Sequence, residues 1–195
     1  TGNRYLSAYA GSAASMPATA KMTLDLVTKA STKARLCNPK IQPLRTKSGE
    51  PFYVMYLHPL QARDIRLSSD WKDAQAQARE RGEANPLFSG ALGYWSNVLL
   101  LENEFVPWLD VSVAGNSWRG ASTGTDYAVD AAAALLCGRQ AVLWAEASDP
   151  KALTVKTFDY GNKTGVAAGT IAGVQKAMFN SKEFGVILVD TAAAV

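Results

Sequence analysis

Between Tyr53 and Gly93 the chain reads YVMYLHPLQARDIRLSSDWKDAQAQARERGEANPLFSGALG, and the punctuation of that stretch confines what can form there. Phe52 to Leu57 is almost continuously apolar and aromatic, which predicts a strand buried on both faces. His58 closes the strand, and Pro59 suits the first position of a helix, where a missing N–H has no partner to lose. Ala62 and Ile65, then Trp71, Ala74 and Ala78, supply short apolar stripes for the helices that follow, with Arg63, Arg66, Lys72, Arg79 and Arg81 facing elsewhere. The helix bearing Trp71 is expected to stop at Gly82, and Asn85-Pro86 to turn the chain toward Gly90 and Gly93.

Upstream, Thr1 to Lys21 is rich in Ala, Ser and Gly, with Tyr5, Leu6, Tyr9 and Met16 as its anchors, and residues 1–22 read as a connecting arm, extended or partly helical. From Thr23 to Leu36 the spacing of Met22, Leu26, Val27, Ala30 and Ala34 predicts a helix. Thr23 is its cap, Asp25 lies in the first turn and Lys29, Lys33 and Arg35 in later ones. Pro39 and Pro43 end it. Lys47 to Glu50 reads as a turn and Val98 to Leu101 as a second buried strand, after which Glu102 and Glu104 project to one side if the strand continues. Gly115 to Gly124 has the composition of a surface loop, and its Trp118 and Arg119 are large residues placed to touch something. A short Ala-rich helix is expected from Tyr127 to Cys137, stopping at Gly138. Ala141 to Ala145, Leu153 to Phe158 and Val186 to Val189 read as strands. Helices and strands alternate irregularly, so the expectation is a mixed α/β layer on a central sheet, without a regular βαβ series.

At 195 residues there is room for one domain, or one domain plus an arm. Apolar content of 48% with 19% charged residues is globular but slightly poor in charge, which suits a surface partly shielded by neighbouring copies. A net charge of +3 is too small for the footprint of a dedicated nucleic-acid binder, although it suits a weakly basic inner face. Cys37 and Cys137 define no disulfide scaffold and read as free thiols of a reducing cytoplasm. No apolar run approaches the roughly 18 residues of a membrane helix, so the chain reads as soluble. Because Thr1 is not an initiator methionine, the native chain is expected to begin earlier.

Catalytic chemistry finds little material. A single histidine rules out a multi-histidine metal site, and His58, between a strand and Pro59, reads as a helix cap or the occupant of a polar niche. Neither cysteine has CxxC spacing or a nucleophile-elbow context. A phosphate loop needs Gly directly before Lys and another further back, where Asn162 and Thr157 stand ahead of Lys163. Gly161, Gly165, Gly169 and Gly173 recur every four residues, but Lys163, Thr170 and Gln175 interrupt any membrane face, leaving a long strand closely approached by a neighbour. The pairs Glu102 with Glu104 and Asp126 with Asp130 lack a third ligand and read as solvated faces or intersubunit salt bridges. No catalytic, cofactor-binding or metal-ligating residue is assigned, and no cofactor is expected.

Two stretches carry a family likeness. The first combines YVMYLHP (Tyr53 to Pro59), the Trp71 helix and NPLFSGALG (Asn85 to Gly93). The second is FDYGNKTGVAAGTIAGVQKAMFNSKEFGVILVDT (Phe158 to Thr191), with Asp159, Gly161, Asn162, Gly165, Gly169, Gly173, Phe184, Gly185 and Asp190 in place. In these the chain resembles the tailed-phage major capsid proteins of the branch that includes the N-four-like phages. The resemblance implies an α+β fold of the Hong Kong 97 type. Residues 23–150 and 181–195 would form the axial A-domain, and residues 151–180 the long strand of the peripheral P-domain. Family members are roughly twice this length, and the part before Thr1 would carry the N-terminal arm, the E-loop and the spine helix. The implied function is that of a subunit whose copies form pentamers and hexamers of an icosahedral head, assembled in the host bacterial cytoplasm. Its partners would be other copies, packaged double-stranded DNA held non-specifically, and decoration or portal proteins, with no membrane.

On that reading Trp118 and Arg119 are the candidate contacts near the capsomer axis, because aromatic and Arg residues dominate interface energetics. Arg63, Arg66, Arg79 and Arg81 are candidates for intersubunit ion pairs. Two alternatives stay open. One is a small soluble α/β enzyme domain with Glu102, Glu104 or Asp110 as its acids, which the lone histidine and missing cofactor motifs disfavour. The other is an encapsulin-like shell protein that packages protein cargo.

Overall fold

Thr23 caps the first helix as its position predicts. In the computed structural model of the chain, which describes residues 5–10, 15–47, 49–79, 92–112, 128–147, 153–180 and 182–194, α1 spans Leu24–Leu36. Thr23 is extended, with φ −130°, and its Oγ1 accepts a hydrogen bond from the Leu26 N–H at 3.3 Å, satisfying one of the donors a helix start leaves open. Leu24, Leu26, Val27, Ala30 and Ala34 are buried, and Asp25 and Lys29 pair across one exposed turn.

The sheet beneath α1 has eight strands. They are β1 (Tyr5–Ser7), β2 (Leu44–Arg45), β3 (Pro51–Leu57), β4 (Gly93–Trp95), β5 (Val98–Glu102), β6 (Trp108–Leu109), β7 (Ala131–Cys137) and, after an excursion described below, β14 (Val186–Ala192). The order is β1-β14-β7-β3-β5-β4, with β2 on β3 and β6 on β7. β1 with β14 and β3 with β5 run parallel and the other pairs antiparallel. Register aligns Ile187 with Leu136, Leu136 with Met55, and Met55 with Leu100, so one face is a continuous apolar layer. Tyr53, Leu57, Val98, Ala134 and Val189 extend that layer, α1 covers it, and Ile65 and Trp71 from the next two helices close it. Fully burying side chains of this size stabilises by about 1.5 to 3 kcal/mol each before entropy is counted. The opposite face is drier at one end only, where Met16, Leu109, Ala131 and Ala192 cluster. The expected two-sided burial of β3 is therefore incomplete: Tyr53, Met55 and Leu57 are buried, whereas Phe52, Val54 and Tyr56 are half-buried.

The Ala-rich helix expected from Tyr127 to Cys137 is absent from the described part of that range, where residues 131–137 form β7 instead. Alanine and leucine favour helix locally, but β7 lies inside the sheet, paired with β14 along its whole length and with β3 and β6 on its other side. Side chains no larger than methyl let both neighbours and both covering layers approach, and Ala131 to Ala134 are completely buried. Tertiary pairing overrides propensity here.

α2 (Pro59–Leu67) starts with Pro59 and is capped by His58. The His58 Nδ1 accepts from the Leu60 N–H at 3.3 Å, and the Gln61 Oε1 accepts from the His58 N–H at 3.1 Å, a reciprocal capping box. Gln61 is fully buried, and its Nε2 donates to the Ala132 carbonyl at 3.0 Å and to the Thr191 Oγ1 at 2.7 Å, tying α2 to β7 and β14. α3 (Ser69–Arg79) follows; the expected stop at Gly82 and turn at Asn85-Pro86 lie outside the described residues.

His58 stacks on Trp108 with ring centroids 5.9 Å apart, and burial pushes its pKa below the ordinary value, against the opposing pull of the Glu102 charge. Capping needs a free lone pair on Nδ1, so the neutral ring is the one the fold stabilises. The unfolded chain then takes up the proton first as pH drops. Stability is expected to be complete above about pH 6.5, to fall as pH drops through the window between that value and the lower folded pKa, and to level off beneath it. His58→Asn keeps a capping oxygen without a titrating ring. Melting curves from pH 8 to 5 should show this slope in the wild type and not in the variant; equal slopes would refute the assignment.

The single long strand expected over residues 151–180 is also replaced. β8 (Val142–Glu146) pairs antiparallel with β11 (Ala172–Lys176), and β9 (Leu153–Phe158) pairs with β10 (Lys163–Ala168), one ladder nested inside the other. A short 3₁₀ turn at Asp159–Gly161 forms the tip. β12 (Met178–Phe179) and β13 (Lys182–Glu183) then lead into β14. One reversal at the tip lets the chain satisfy its backbone groups by pairing with itself.

Candidate assembly surface

Along the nested hairpin many apolar side chains meet water. Trp144 is 66% exposed and stands directly opposite Val174, with Val142 on the same face of the ribbon. Leu143 projects to the other face, opposite Gln175, and its neighbouring position there is the small pair Ala145 and Gly173. Farther out, Val155 opposes Val166, and Phe158 shares a face with Lys156, Gly165 and Lys163. The principal contacts of β8 to β11 are with each other. A lone two-stranded ribbon is at best marginally stable in water, and contiguous exposed apolar surface of this kind marks an interaction site.

The ends of the hairpin are held rigidly. The Gly138 N–H donates to the Gly185 carbonyl at 2.8 Å, and the Ala177 N–H donates to the Ala141 carbonyl at 3.4 Å. A Cβ on Gly185 would lie 2.4 Å from the Ala141 nitrogen and from the Gln140 carbonyl carbon and oxygen. A Cβ on Gly138 would meet Ile41 Cγ2 at 2.4 Å and the Gln42 carbonyl oxygen at 2.6 Å. Both glycines serve close backbone approach at the root. The four-residue glycine repeat does not share that role. Gly165 lies under Phe158, where an added Cβ would come 2.9 Å from its Cε2, whereas nothing lies within 4 Å of a Cβ on Gly169 or Gly173. Gly161, with φ +91°, completes a left-handed tip after Asp159 and Tyr160 at +57° and +51°.

The residues singled out by sequence are scattered. Arg66 pairs with Glu102 at 2.5 Å, and Arg63 donates to the Ala194 carbonyl at 2.8 Å and lies 3.4 Å from Asp64, so both arginines are engaged within the chain. Arg79 ends α3. Trp118, Arg119, Arg81 and Asp126 lie outside the described residues. Asp130 accepts from the Val111 N–H at 3.0 Å, and Glu104 sits in a turn instead of continuing β5, so it does not share a strand face with Glu102. Neither Cys37 nor Cys137 forms a disulfide; Cys37 is buried and Cys137 half-buried, and burial raises the pKa of Cys137. Among the described residues no group of His, Cys, Asp and Glu is placed to hold a metal ion, and no helix is long and apolar enough to cross a membrane. The exposure of Trp144 is not legible in Ala141 to Ala145, which reads like any strand. The available signal is its partner, Ala172 to Lys176, whose Ala, Gly, Gln and Lys around a single Val174 offer Trp144 little to be buried by.

The family model described as phage capsid protein matches residues 1–195. A curated relative, the major capsid protein of Pseudomonas phage KPP25, is 32% identical over 188 residues, covering 93% of this chain and 48% of its own length. Among solved structures, the capsid of Ralstonia phage GP4 is similar over 100% of this chain and 54% of its own, with a TM-score of 0.71 and 29% identity. The capsid of cyanophage Pam1 is similar over 98% of this chain and 55% of its own, at 0.72 and 25%. The chain thus spans about half the length of the relatives it matches.

Proposed function

The chain belongs to the phage capsid protein family, and on that premise we propose that it is the shell-building part of a major capsid protein subunit of the Hong Kong 97 type. Copies assemble into pentamers and hexamers, and these close into an icosahedral head around double-stranded DNA. The role is structural and not enzymatic, as it is for its relatives. The observation that carries the reading is the nested hairpin, whose apolar side chains are exposed in this structure and would be covered by neighbouring copies in a shell. In this reading residues 23–150 and 181–195 form the axial domain, the eight-stranded sheet with its helices, to which the arm adds the edge strand β1. The hairpin is the peripheral domain and takes in β8, because β8 pairs with β11. Heterologous contacts of this kind build rings that close. Packaged DNA is met non-specifically, decoration and portal proteins are further partners, and assembly takes place in the host bacterial cytoplasm. Trp118 and Arg119 are the contacts we assign near the capsomer axis.

The relatives named are phage capsids, which favours a viral shell over a cargo-storing compartment. Electron microscopy of the full-length gene product under assembly conditions is expected to show closed icosahedral shells. A product that stays monomeric under those conditions would overturn the assignment.

A further inference from the structure

Phe105 is 94% exposed, yet the turn that presents it is fixed. The Asn103 N–H donates to the Leu57 carbonyl at 2.9 Å, where the parallel strands β3 and β5 end together. The Asn103 Oδ1 accepts from the Phe105 N–H at 2.8 Å, and Val106 is buried immediately after it. Arg66 neutralises Glu102 beside the turn. Glu104 is exposed and has no ion-pair partner among the described residues. The turn therefore offers one aromatic ring escorted by one uncompensated negative charge, held in place before any partner arrives.

The outer ribbon offers the reverse. Phe158 is 51% exposed and rests over Gly165, where an added side chain would push it away. The Lys156 Nζ lies 5.6 Å from the Phe158 ring centroid. Lys163 is engaged by Asp159 at 3.7 Å, so among the described residues Lys156 carries the uncompensated positive charge of this face. Phe105 and Phe158 are too exposed to be covering each other within one chain.

Resting on the assembly reading above, we propose that the turn at Asn103 to Val106 docks on the Lys156 and Phe158 face of the β9/β10 ribbon in a second copy of this chain. Glu104 meets Lys156 and Phe105 packs against Phe158. Two complementary patches on one molecule form a heterologous contact, which propagates around a ring instead of closing a two-fold dimer. The patches are small, so the contact sets register and selects the correct neighbour more than it supplies bulk affinity.

The test is a charge exchange in the full-length capsid protein. Glu104→Lys and Lys156→Glu are each expected to lower the assembled fraction at low salt by about tenfold, as losing a close charge pair does, with the melting temperature of the subunit unchanged. The double variant restores assembly to near the wild-type level. Phe105→Ser assembles poorly at every salt concentration, because its contribution is not screened. Single variants that assemble like the wild type, or a double variant no better than the worse single one, overturn the contact while leaving the subunit reading intact. Failure of the wild-type protein to assemble under any condition removes both.

Discussion

Replacing Trp144 with alanine is expected to abolish shell formation while the isolated subunit stays folded. With Trp144 66% exposed, truncation removes little buried area from the chain's own core, and its partner Val174 is equally open to water. The subunit should melt within a degree or two of the wild type, since surface substitutions change stability by about 0.5 kcal/mol or less. Assembly is another matter. A central tryptophan in an interface is worth on the order of 2 kcal/mol or more, a factor of about thirty in the affinity of each contact. A shell multiplies that loss because every subunit repeats it. Sedimentation velocity of the full-length variant should show free subunits where the wild type shows particles, alongside an unchanged circular dichroism melt. Particles in wild-type yield would mean that this face of the ribbon is not buried in the assembly.

The same separation between a subunit's own stability and its contacts explains what the sequence disclosed. Thr23 with the helix it caps, His58 with Pro59, and the strands around Met55, Leu100 and Ile187 were legible because local chemistry and burial within one chain agree there. Residues 131–137 were not, because their alanines are helix formers locally and strand residues only once β14 and β3 stand on either side. The hairpin was half legible. Its strands at Leu153 to Phe158 and Ala141 to Ala145 were expected, but not their exposure, because apolar patterning does not tell an exposed strand from a buried one. The arginines of α2 show the converse. Arg63 and Arg66 looked available for other subunits and are engaged by Ala194 and Glu102, long-range partners that no spacing along the sequence reveals.

Gly185→Ala should be the most damaging methyl addition among the glycines at the hairpin and its root. The new Cβ would lie 2.4 Å from three backbone atoms of Gln140 and Ala141. Backbone cannot rotate aside as a side chain can, so relief requires the residue leading into β14 to move away from the turn that leads into β8. That movement also strains the hydrogen bond from the Gly138 N–H to the Gly185 carbonyl at the root of the hairpin. Overpacking commonly costs about 1 to 3 kcal/mol, and contact with backbone alone puts this site at the upper end. For a chain of this size that corresponds to a fall of roughly 6 to 12 °C in melting temperature. Gly138→Ala is expected to cost less, because its closest contact, Ile41 Cγ2, belongs to a side chain that can shift, although the Gln42 carbonyl oxygen at 2.6 Å cannot. Gly173→Ala is the control, since its new methyl would meet nothing within 4 Å and should leave the melt unchanged or slightly raised. The order Gly185, Gly138, Gly173 in loss of melting temperature is the expected result, and a Gly185→Ala subunit that melts like the wild type would mean that the root is looser than its geometry requires. The surviving folded fraction of Gly185→Ala should also assemble poorly, because a displaced root redirects the ribbon that carries Trp144.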